Sequence, residues 1–151
     1  MKKENDIINR DYRNSDILRW QMLDFVVGYE IHRSNNQNLK ECEICQRFAG
    51  KYPKSFIWHG WHDGCICYVT PIMMDDETDR EQTVSDLKSA LHGTEYKKLQ
   101  AKNLVKHVPE GFIDWFLENR KEMNKVGSFP YFVTDNMQLI MESYNHYKLS
   151  S

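Results

Sequence analysis

Five side chains in the middle of the chain have the types and spacing of a metal site. Cys42 and Cys45 form a Cys-x-x-Cys turn, and after a gap of sixteen residues come His62-Asp-Gly-Cys65-Ile-Cys67. These are the only four cysteines among 151 residues, and they fall within 26 positions. A Cys-x-x-Cys turn holds two thiolates at a separation that suits one tetrahedral ion, and a second pair from a distant loop closes the site. Cys65 and Cys67 are spaced by the period of a strand, so on a strand both point to one side. Five candidates compete for four places: either all four cysteines, or three of them with His62. Zinc is the natural occupant, because it accepts both ligand sets without redox chemistry, whereas iron–sulfur clusters use other spacings. Four protein ligands leave no open position for water or substrate. The site therefore reads as structural, with no catalytic residue and no organic-cofactor site assigned.

Other chemistry for the same residues is weaker. Two disulfides could use the four cysteines, but the charged start Met1-Lys-Lys-Glu-Asn-Asp leads into no secretory apolar run, and disulfides are uncommon in a reducing compartment. Plain core cysteines would not be expected to cluster so tightly. A thioredoxin-like pair would sit between a strand and a helix, and Cys42 and Cys45 do not. A zinc deaminase needs His-x-Glu, whereas His59 is followed by Gly-Trp and His62 by Asp-Gly. A Cys65 nucleophile served by His59 or His62 has only sequence proximity in its favour. His32, His92, His107 and His146 read as solvated or cap-position residues.

Composition bounds the rest. Twenty Lys+Arg against 22 Asp+Glu give a formal charge of −2 and a pI near 6.3, without the basic excess of a sequence-blind phosphate binder. The basic stretch Lys97, Lys98, Lys102, Lys106 and His107 allows at most weak DNA contact, and a solvated helix face is the simpler account. No apolar run approaches the roughly 20 residues of a membrane span, so no membrane role is expected and the chain is assigned to the cytoplasm. The length suits a single domain with a sizeable core.

The elements that must position the cysteines follow from periodicity. Residues 1–24 predict an imperfectly amphipathic helix through Ile7, Ile8, Tyr12, Ile17, Leu18, Met22 and Leu23, with Asn14 or Ser15 as an interruption. Phe25 to Arg33 predicts a strand with Phe25, Val27, Tyr29 and Ile31 on one face. Ser34 to Asn38 is polar turn material. A helical turn after Cys45 stops at Gly50, Pro53 forces Lys51 to Lys54 into an extended loop, and residues 65–73 predict a second strand that Pro71 places at an edge. The rest, residues 79–148, reads as helical. Asp79 to Leu91 has Val84, Leu87 and Leu91 on one stripe, and Tyr96 to Val105 carries a weaker one of Tyr96, Leu99 and Leu104. A third helix follows Pro109, buries Phe112, Trp115, Phe116, Leu117 and Met123, and closes at Gly127. Thr134 or Asp135 caps a last helix through Met137, Ile140, Met141, Tyr144 and Tyr147. The expectation is a single α+β domain over 1–151: a helix over 1–24, then strand, Cys/His loop and strand over 25–73, then a helical part over 79–148. The small sheet carries a zinc-knuckle-like loop.

Several segments, in order, resemble the phage Mu F-like minor head (head morphogenesis) family of tailed phages and prophages. Tyr12-Arg13, Asp16 and Arg19-Trp20 resemble the end of that family's long helical region, and Leu23 to Ile31 its next strand. Cys42-x-x-Cys45 with Gly50-Lys-Tyr-Pro-Lys54, then Gly60 to Ile72, are similar to its loop and its His-Pro-x-Cys-Arg-Cys signature. Phe112-x-x-Trp115 and Phe129 to Asn136 are similar to the continuation in Bacteroides-type versions. Asp63-Gly64 stands where the family usually has Pro and one further residue, and Ile66 replaces its Arg. The long N-terminal part of typical members precedes this region, so the chain is expected to be a truncated, split or stand-alone version. The resemblance implies a structural protein of the virion, partnered with the portal protein or capsid interior and acting in capsid assembly or DNA retention. The other expectation is a prophage effector of nuclease or ADP-ribosyltransferase type. Its catalytic set would come from Glu95, His107, Glu110, Asp114, Arg120, Asp135 and His146, which form no recognised spacing.

Overall fold

The computed structural model describes residues 2–33 and 43–150, with side chains from Arg10 onward except at Glu43. Cys42 and the expected Ser34–Asn38 turn lie outside the described residues. Helix α1 runs from Lys2 to Gln21, and neither Asn14 nor Ser15 interrupts it. Ile17 is buried and Trp20 half-buried against the core, while Tyr12, Leu18 and Met22 face solvent. Turn hydrogen bonds from Met22 N–H to Arg19 O and from Leu23 N–H to Trp20 O then release the chain into the sheet.

The central strand β1 (Val26–His32) lies between β2 (Gly50–Tyr52) and β3 (Tyr68–Met73), both antiparallel to it. Tyr29 and Ile31 are buried as the alternation predicts, but Val26 and Val27, which are neighbours, are both buried and Phe25 is exposed. The register slips between Val26 and Gly28, and Val105 N–H donates to Val27 O, so a second layer covers the sheet there. A Cβ at Gly28 would meet the Val105 side chain at 2.7 Å and Tyr52 O at 2.8 Å, which explains the glycine. The extended loop expected at 51–54 is a paired strand, β2, as far as Tyr52, and Pro53 ends it. The strand expected from Cys65 begins only at Tyr68, because Gly64 at φ +73° and a turn from Cys65 N–H to His62 O keep both cysteines in the loop. Pro71 does fall in an edge strand, opposite Tyr29.

Short α2 (Glu43–Phe48) precedes β2, and α3 (Asp76–His92) follows β3. Helix α3 starts three residues before Asp79 because Asp75 Oδ1 accepts from Thr78 N–H at 2.8 Å, and Gly93 in the left-handed region ends it. The helix expected over Tyr96–Val105 does not form. Residues 94–109 are irregular there because side chains satisfy the backbone instead: Gln82 accepts from Leu99 N–H and donates to Lys97 O, and Asp75 Oδ2 accepts from Lys102 N–H. The helical part therefore begins at 76 and is broken between α3 and α4 (Glu110–Val126). Phe112 and Phe116 on α4 are buried, Trp115, Leu117 and Met123 pack half-buried beside them, and Gly127 closes the helix as expected. The segment before the last helix contains its own turn, α5 (Tyr131–Thr134), so α6 (Met137–Ser150) starts after Thr134 and Asp135.

The core is aromatic more than aliphatic. Phe48 meets Trp61, Phe112 and Trp115 with ring centroids 4.8–4.9 Å apart, and Tyr52, Phe56 and Phe132 extend the cluster. It lies where the cysteine loop, the sheet and α4 to α6 converge. Among the described residues no helix is long and apolar enough to cross a membrane.

Candidate metal centre

Three of the five candidate ligands converge. Cys45 in the first turn of α2, and Cys65 and Cys67 in the lead-in to β3, are buried free thiols whose Sγ atoms all lie within 4.8 Å of one another. Two sulfurs on one tetrahedral zinc stand about 3.8 Å apart, so a small inward movement would bring the three to ligand spacing. His62 is exposed and stands beside this set, with Nε2 3.5 Å from Cys45 Sγ. That equals the edge between an imidazole nitrogen and a thiolate sulfur on a shared zinc, about 3.5 Å. Its Nδ1 donates to the Asp63 carbonyl at 2.8 Å, which turns Nε2 toward Cys45 Sγ.

The electrostatics favour a cation. Cys65 is held far below the ordinary thiol range by hydrogen bonds from Cys45 and Cys67, against its burial, with backbone hydrogen bonds of Trp61 and Cys67 adding to the effect. Cys45 is pushed far up by the same contacts with Cys65 and Cys67 and by burial. Cys67 is lowered by its contact with Cys45, but the hydrogen bond to Cys65, burial and the Cys65 charge push it up to about 12. Three sulfurs packed this closely can all ionise only around a positive ion.

Positioning comes from both sides of the loop. On one side, Arg13 of α1 donates through Nη2 to Cys65 O at 2.5 Å and Cys67 O at 2.9 Å, and its guanidinium lies 5.2 Å from the Trp58 ring centre. Arg10 pairs with Asp63 at 2.7 Å. On the other side, Tyr131 OH accepts from His59 N–H and donates to Gly60 O, with its ring stacked on His59 at 3.8 Å. Burial, followed by the Arg10 charge, lowers the His59 pKa. Buried Asn136 bonds the Ile57 backbone in both directions, and Arg47 forks onto Glu118 of α4. The spacing of the cysteines gave no sign of Arg10, Tyr131 or Asn136. Arg13, like Tyr131 and Asn136, lies in a segment that carries the family resemblance, and its inward position shows only in the fold.

The other candidates disperse. The basic stretch is partly neutralised, with Lys98 on Asp24 at 2.8 Å and Lys102 on Glu77 at 2.5 Å. His107, in the irregular segment before α4, stacks at 4.0 Å on His146 of α6, and His32 stacks on Tyr68 and bonds Thr70. No protein-family model, no curated protein and no solved structure matches the chain.

Proposed function

We propose that this chain is a structural domain of the tailed-phage minor head type, acting at the portal vertex or capsid interior, with one zinc ion stapling its Cys/His loop. The observation that carries the metal reading is the trio of buried sulfurs at Cys45, Cys65 and Cys67, all within 4.8 Å of one another, with Nε2 of the His62 imidazole 3.5 Å from one of them. Their burial suits ligands better than nucleophiles that must meet a substrate. Zinc held by three thiolates and an imidazole supplies a cross-link with no redox change. Cys45, Cys65 and Cys67 supply three ligands, and His62, beside Cys45 and outside the sulfur trio, is assigned the fourth place. The virion role rests on the resemblance of the Gly60–Ile72 segment and its flanks to minor head proteins.

Elemental analysis of the purified chain is expected to give about one zinc per molecule. His62→Ala should weaken zinc at least tenfold in competition with a chromophoric chelator, and Cys42→Ser should leave it unchanged. Metal-free protein with freely reacting thiols in the native state would overturn the site. Equal loss in Cys42→Ser and none in His62→Ala would overturn the ligand set alone. The head role predicts a few copies of the chain in purified particles by mass spectrometry. Particles that lack it would remove that role and leave the metal site standing.

A further inference from the structure

Helix α3 wears its apolar face outward. Val84, Leu87 and Leu91 share one stripe and are 51%, 61% and 75% exposed. The face turned to the body is polar, with Thr78 and Ser89 buried and Gln82 and Ser89 bonded to the segment after Gly93. Surface helices normally have the reverse arrangement, so this stripe needs a partner. With Arg80 the stripe has steps of four, three and four residues, the spacing of a coiled-coil seam.

Charge sets the orientation. Asp76, Glu77, Asp79 and Glu81 outweigh Arg80 in the first half of α3, whereas Asp86 and Lys88 offset each other in the second. A parallel pair of such helices would set acid against acid. An antiparallel pair sets each acidic half against the nearly neutral half of the other copy, where Lys88 stands, and also opposes the two helix dipoles. With the two-fold axis between residues 85 and 86, Val84 of one copy faces Leu87 of the other and the Arg80 stem covers Leu91. Glu81 then meets Lys88 twice along one edge of the seam. Both residues are exposed and have no ion pair among the described residues. That edge opens on a groove of about 740 Å³ lined by Val84, Lys88, His92 and Glu95, which gives the facing side chains room.

We infer that α3 is a self-association helix, on which a second copy of the chain packs antiparallel through Val84, Leu87 and Leu91, with Glu81–Lys88 pairs fixing the register. Three aliphatic positions per copy fall short of the area of a permanent dimer, so association is weak and concentration-dependent. This inference is independent of the metal centre.

Sedimentation of the full chain at low salt, up to about 1 mM, tests it. Wild type should move from monomer to dimer across that range. Leu87→Lys, with Leu91→Lys as a second variant should the first misfold, should stay monomeric with an unchanged circular dichroism spectrum. Glu81→Lys or Lys88→Glu alone should weaken association about five- to tenfold, because each reverses two contacts, and the double reversal should restore it. A wild type that remains monomeric at about 1 mM, or lysine variants that dimerise like wild type, would overturn the proposal. A double reversal no better than the singles would also overturn it, since the antiparallel register would then be wrong.

Discussion

Arg13 shows how one side chain can hold a site whose chemistry belongs to others. Its Nη2 reaches the carbonyls of Cys65 and Cys67, so it fixes the backbone of two sulfur donors and lays positive charge beside a cluster of thiols. Hydrogen bonds from a charged donor to partly buried carbonyls are worth about 1.5–3 kcal/mol, so Arg13→Ala should cost about 2 kcal/mol in urea unfolding. Arg13→Lys should recover less than half of that loss, because an ammonium on a shorter, flexible stem has donors for both carbonyls but no planar group to stack on Trp58. The cysteines were legible because thiols are rare and their spacing carries geometry. Arg13 was not legible as an anchor: its acceptors are backbone carbonyls more than fifty positions away, and an arginine in a charged helix gives no periodic sign of facing inward.

The helices differ in how far their sequence disclosed them. The pattern of Phe112, Phe116 and Gly127 predicted both the buried face and the end of α4, because apolar period and capping agree there. The second stripe at Tyr96–Val105 misled because its residues sit near helical spacing, while Gln82 and Asp75 capture the backbone groups that a helix would need. Helix α6 docks by a polar latch: Ser143 Oγ accepts from Val108 N–H, Tyr147 OH donates to Val108 O, and His146 stacks on His107. Burial, then the His146 and Lys106 charges, lower the His107 pKa against the opposing pull of Glu142, and His107 Nδ1 is buried without a partner among the described residues. A histidine with a depressed folded-state pKa stabilises the fold fully above its ordinary value of 6.5. That stability is lost as the pH falls from there toward the lowered value, because the unfolded chain takes up the proton first. Amide exchange in α6 should therefore quicken as the pH falls below His107's ordinary value of 6.5, after correction for intrinsic rates, and His107→Gln should flatten that dependence.

At the scale of the molecule, the cysteine loop is part of the core and no appendage to it. Residues 43–67 contribute Phe48, Tyr52, Phe56, Trp58 and Trp61, all buried, so whatever orders the loop orders the core. Chelation of the proposed metal should lower the melting temperature by roughly 10 °C in a single transition, as loss of a cross-link worth about 3–4 kcal/mol would in a chain of this size. The emission of the two buried tryptophans should shift to the red in the same transition. Two separate transitions would show that loop and body fold independently. The α+β class was legible from the change of period after residue 25, but the aromatic core was not, since its rings are spread over loops with no period to betray them. The edge of the sheet carries one more consequence. Pro71 stands within β3, where it removes a backbone donor from a strand in which Tyr68, Val69, Thr70 and Ile72 favour extended pairing. While the chain is newly made, that proline denies neighbouring molecules a continuous hydrogen-bonding template, and so guards against amyloid-like stacking before the fold closes.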